Sequence, residues 1–104
     1  MADWSDLLVG AGIRARVARD RVLARVLEEA LEGIDRLLSE SGLPYRLDAH
    51  LTRGGEYLIH MQIAYRSREE RDRLWDQAAQ ILERARRGQG VHILCGISSF
   101  SQLN

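Results

Sequence analysis

The sequence predicts an α+β domain in which two helices cover one face of a three- or four-stranded sheet. Three observations predict it. Apolar residues recur at helical spacing over two long segments, 14–41 and 68–87. They alternate with period two over three short ones, 45–52, 57–65 and 91–97. Glycine, proline or a serine cap stands at the breaks between them. The order is α-β-β-α-β, or β-α-β-β-α-β in a ferredoxin-like arrangement if the N-terminal segment adds a strand.

The N-terminal segment, residues 1–13, reads in two ways. Asp6-Leu7-Leu8-Val9 suits a short strand, and Asp3 suits the cap of a short helix that Gly10 and Gly12 end. From Arg14 to Ser41 the spacing predicts one long helix. Val22, Leu23, Val26, Leu27, Ala30, Leu31, Ile34, Leu37 and Leu38 form its apolar stripe. Gly42 suits the position past a helix end, and Pro44 prevents a restart. Gly33 is a weak point inside that helix.

In the first hairpin strand, Tyr45, Leu47, Ala49 and Leu51 point one way and Arg46, Asp48, His50 and Thr52 the other. In the second, Tyr57, Ile59, Met61, Ile63 and Tyr65 oppose Leu58, His60, Gln62 and Ala64. A loop of Gly54-Gly55-Glu56 keeps the two apolar sets on one face. That register pairs Leu51 with Ile59, Tyr45 with Tyr65, and His50 with His60. Ser67-Arg68-Glu69-Glu70 is a capping box, so a second helix runs from Arg68 to about Arg87 and stops at Gly88. Val91 to Ile97 is the last strand, and 98–104 reads as a loose tail.

Length and charge bound the function. The chain has 104 residues, one domain's worth, so residues 1–104 form a single domain. Fifteen basic and fifteen acidic residues give a formal net charge of zero. That excludes a strongly basic nucleic-acid protein and an acidic disordered chain. All fifteen basic residues are arginine, whose planar guanidinium suits bidentate contacts with carboxylates or phosphates. No apolar run approaches the roughly 20 residues that span a membrane. One cysteine excludes a disulfide framework and a multi-cysteine zinc site. With no charged n-region at its start, the chain is expected in the reducing cytoplasm.

Four features are candidates for chemistry. Gly10, Gly12 and Ala15 match G-x-G-x-x-A, a phosphate-cradling pattern. The long helix and the hairpin after it depart from a dinucleotide-binding unit, so a glycine hinge is the reading. Arg14, Arg16, Arg19, Arg21 and Arg25 crowd the start of the first helix. Arg16 and Arg19 share the side of the apolar stripe, where burial without partners is costly. The first two turns should therefore overhang the core, with Arg14, Arg16 and Arg19 meeting an acidic partner, a second subunit or phosphate. His50, His60 and His92 share the polar parity of their strands, and three imidazoles can hold zinc. No cofactor is expected, zinc at these histidines being the one alternative. Leu58, Ala64 and Leu94 lie among polar residues on the outer sheet face, which suits a contact surface. Cys95, on the inward parity, reads as a buried inert thiol.

The expected function is therefore a non-enzymatic protein-interaction or assembly module, a homo-oligomer or a subunit of a larger complex. Its partner is itself or another protein, with nucleic acid ranked below and no membrane. The α-β-β-α-β order also resembles that of type II KH-like domains such as the ribosome-binding factor A family. This implies a nucleic-acid-associated alternative, although the G-x-x-G loop of that family is missing and Arg87-Gly88-Gln89-Gly90 does not replace it. A second alternative is a small dimeric ferredoxin-like enzyme using a His-lined sheet face.

Overall fold

The structure, a computed structural model, describes residues 8–99. Over these residues the chain is a small α+β domain with a mixed sheet and three helices. The described order is β1 (Leu8–Val9), α1 (Ala11–Val17), α2 (Arg21–Ser41), β2 (Tyr45–Leu51), β3 (Tyr57–Ile63), α3 (Arg68–Arg86) and β4 (Ile93–Ser98). Three full strands make the sheet, with the two-residue β1 parallel to β2 at one edge. β2 and β3 are antiparallel, and β3 and β4 are parallel.

This corrects the ferredoxin-like expectation. That arrangement inserts the first strand between the third and the fourth. Here β4 pairs directly with β3, and β1 lies on the far side of β2. The expected α-β-β-α-β order is corrected as well, because an additional helix and the short β1 precede α2.

The long helix from Arg14 is two helices, broken at residues 18–20. Asp20 causes the break: its backbone is extended and its carboxylate accepts from the Leu23 N–H at 3.1 Å. The side chain thus satisfies an N–H that has no partner inside the helix. The turn redirects α1 toward β2, where Ile13 is fully buried. The expected N-terminal overhang therefore does not exist.

α2 carries the main apolar stripe, with Leu23, Val26, Leu27, Ala30, Leu31, Ile34 and Leu38 buried. Gly33 has a packing reason: a Cβ there would sit 2.6 Å from Ile81 Cγ2, so its absence lets α2 and α3 approach. Tyr45 ties β2 to α2, its hydroxyl donating to Asp35 Oδ1 at 2.6 Å. α3 starts as the capping box requires, with Ser67 Oγ accepting from the Glu70 N–H at 3.1 Å. Glu70 in turn accepts from the Arg66 N–H at 2.8 Å and pairs with its guanidinium, which holds the carboxyl below its usual range.

Leu47, Ala49, Ile59, Met61, Ile63 and Ile93 face these helices, and all three helices contribute to one buried cluster with them. The expectation of a loose tail over 98–104 is corrected at its first two residues. Ser98 closes β4, and Ser99 is buried at 6% exposure. Trp4, Asp3 and residues 100–104 lie outside the described residues.

Candidate functional site on the open sheet face

Period two decides which strand residues share a face, and the even-numbered set faces away from the helices. It includes Arg46, Asp48 and His50 on β2, Leu58, His60 and Gln62 on β3, and Leu94, Gly96 and Ser98 on β4. None of the nine is buried, and Leu94 is 41% exposed.

The hairpin register puts them in rows. Tyr45 pairs with Ile63, Asp48 with His60, and His50 with Leu58. The loop has three residues as expected, but they are Arg53-Gly54-Gly55, closed by the Thr52 N–H donating to the Glu56 carbonyl at 2.8 Å. Gly55 takes the left-handed position, φ 82°. Moving the loop back one residue slides the strands by two. Every side chain keeps its face and changes its partner. The expected pairs His50–His60, Leu51–Ile59 and Tyr45–Tyr65 are corrected accordingly.

β4 extends the rows: His60 pairs with Gly96, Leu58 with Leu94, and Gln62 with Ser98. The face therefore reads His50–Leu58–Leu94, then Asp48–His60–Gly96, then Arg46–Gln62–Ser98. Asp48 lies between two imidazoles, with Oδ1 3.6 Å from His50 Nδ1 and Oδ2 3.5 Å from His60 Nδ1. On its other side, His60 Nε2 is 2.9 Å from Ser98 Oγ. Which of the two donates in that bond follows from the imidazole tautomer.

The three histidines do not converge. His50 and His60 share Asp48, whereas His92 Nε2 lies 3.5 Å from Glu56 Oε2, in a row beyond Leu58–Leu94. Among the described residues no group of three or more histidine, cysteine or acidic side chains could hold a metal ion. Arg14, Arg16 and Arg19 are exposed on α1 and the turn after it, away from the apolar stripe of α2. Gly10 and Gly12 lie at the start of α1, beside β2. The Gly10 N–H donates to the Ala49 carbonyl at 2.8 Å, and Gly12 lies against Leu51.

Cys95 points inward, and burial pushes its thiol up to about 11. Trp75, 42% exposed on α3, donates its indole N–H to the Cys95 carbonyl at 3.1 Å, which ties that helix to β4. Leu58 and Leu94 are the sequence-derived contact residues the fold brings side by side. Sequence reasoning missed Asp48 and Ser98 as partners of His60. The signal was their common even parity; the correct loop position would have found Asp48.

No protein family, curated protein or solved structure matches the chain. Among the described residues no helix is long and apolar enough to cross a membrane.

Proposed function

We propose that this chain is a protein-binding module that associates with a second copy of itself through the open face of its sheet. The observation that carries this reading is the pairing of Leu58 with half-exposed Leu94 on a face that no described helix covers. Around that pair stand groups of both signs, Asp48 and then Arg46 on one side and Glu56 on the other. A two-fold contact brings a surface against itself, so one surface must carry both partners of each charge pair. Two such faces pack about 10 Å apart, with Leu58 and Leu94 interdigitated at the centre and the charges at the rim. The nucleic-acid alternative rests on element order alone.

Native mass spectrometry of the untagged protein tests the reading. The expected species has twice the 11.8 kDa chain mass. Leu94→Arg and Leu58→Asp should each give a folded monomer, because each desolvates an unpaired charge in the contact. A wild-type chain that stays monomeric at tens of micromolar, or a dimer that both variants retain, would discard it.

A further inference from the structure

The geometry points to Ser98 as a nucleophile activated by His60 and Asp48, at an acyl-transfer site for small carboxylic esters. The inference does not depend on self-association. Ser98 ends β4, four residues from Leu94, which puts it roughly 13 Å away at the rim of the face.

Three parts of such a site are present. A serine hydroxyl is a weak nucleophile until a neighbouring base takes its proton, and the base must be held by a third group. Ser98 Oγ and His60 Nε2 are 2.9 Å apart, within reach for proton transfer. Asp48 Oδ2 faces His60 Nδ1 at 3.5 Å, so it favours the tautomer with a free Nε2 and stabilises the imidazolium once formed. All three side chains stand on strands of one sheet, a more rigid support than loops. Donors share the row of the nucleophile. Gln62 is the register partner of Ser98, and Arg46 that of Gln62, so an amide and a guanidinium belong to the same row as the nucleophile. Gly96, beside His60, provides room. A Cβ there would contact Leu58 Cδ1 at 3.7 Å and His60 Cδ2 at 4.0 Å, and its absence leaves a notch bounded by an aliphatic and an imidazole side chain.

The step balances without a cofactor. Ser98 Oγ bonds to the ester carbonyl carbon while its proton passes to His60 Nε2. The carbon–oxygen bond to the leaving group breaks, and that oxygen takes the proton from His60. Water then adds to the acyl-serine with His60 again as base, releasing the carboxylic acid and restoring the hydroxyl.

The test uses a fluorophosphonate probe on the full chain, read by intact mass and peptide mapping. Attack forms the Ser98 oxygen–phosphorus bond and expels fluoride. The expected result is one adduct, on Ser98, that denatured protein does not form. Ser98→Ala should abolish it, and His60→Gln should slow it about 100-fold. Asp48→Asn should slow it as well. No adduct on Ser98, or an adduct formed as fast in folded His60→Gln, would overturn the inference. Ser98→Cys covers the case in which His60→Gln does not fold. With His60 as base, its new thiol should react with iodoacetamide at neutral pH faster than free glutathione does, and an equal or slower rate would overturn the inference too.

Discussion

The Tyr45 hydroxyl joins the sheet to the second helix, and its titration reports that contact. The hydrogen bond to Asp35 raises its pKa first, followed by burial and the charge of Asp35, from the usual 10 to about 12. The folded value lies above the unfolded one. The contribution is thus complete below pH 10 and lost as pH rises from about 10 to about 12. Tyr45→Phe should cost about 1 kcal/mol near neutral pH. That difference from wild type should close across the alkaline window, measured by urea unfolding at a series of pH values. A difference that is constant with pH would show that the hydroxyl contributes only packing. Single residues were also where the sequence was most and least informative. Parity placed Leu58, His60 and Leu94 on the outer face correctly, because a side chain's face follows from its position alone. Partners were not legible, because they depend on the loop offset. The offset turned on which residues beside the two glycines close the turn.

At the scale of elements, periodicity located the strands and the capping box located α3, but the break before α2 escaped it. No glycine or proline marks residues 18–20, and arginines on both sides continue a helical composition. The stop is a single side-chain cap, Asp20 on the Leu23 N–H, which leaves little trace in a hydrophobic pattern. Asp20→Ala should therefore destabilise the domain by about 1 kcal/mol, while Asp20→Asn should stay within a few tenths, since its amide oxygen can accept the same bond. Thermal and urea unfolding measure both. Equal losses from the two would mean that the carboxylate's charge, rather than its hydrogen bond, holds the α1–α2 turn. The turn matters beyond its own energy. It sends α1 against β2 and buries Ile13, while Arg14, Arg16 and Arg19 stay exposed.

At the scale of the whole molecule, the described helices all bury their apolar stripes on one side of the sheet, and none of them covers the other. If that side is closed by a second copy, folding and association are one equilibrium, and stability must depend on concentration. Unfolding then converts one folded dimer into two unfolded chains. Each tenfold rise in concentration favours the dimer by about 1.4 kcal/mol. With the unfolding entropy of two such chains, the melting temperature should climb by about 3 °C per decade. Leu94→Arg should flatten that slope and lower the melting temperature at high concentration toward the dilute wild-type value. A change confined to the open face cannot do this through the core, since Leu94 touches solvent and Ile93 beside it carries the buried contact. A wild-type melting temperature that does not move between micromolar and hundreds of micromolar would place the stability of the fold entirely in the single core. The Leu58–Leu94 face would then have no part in holding two chains together.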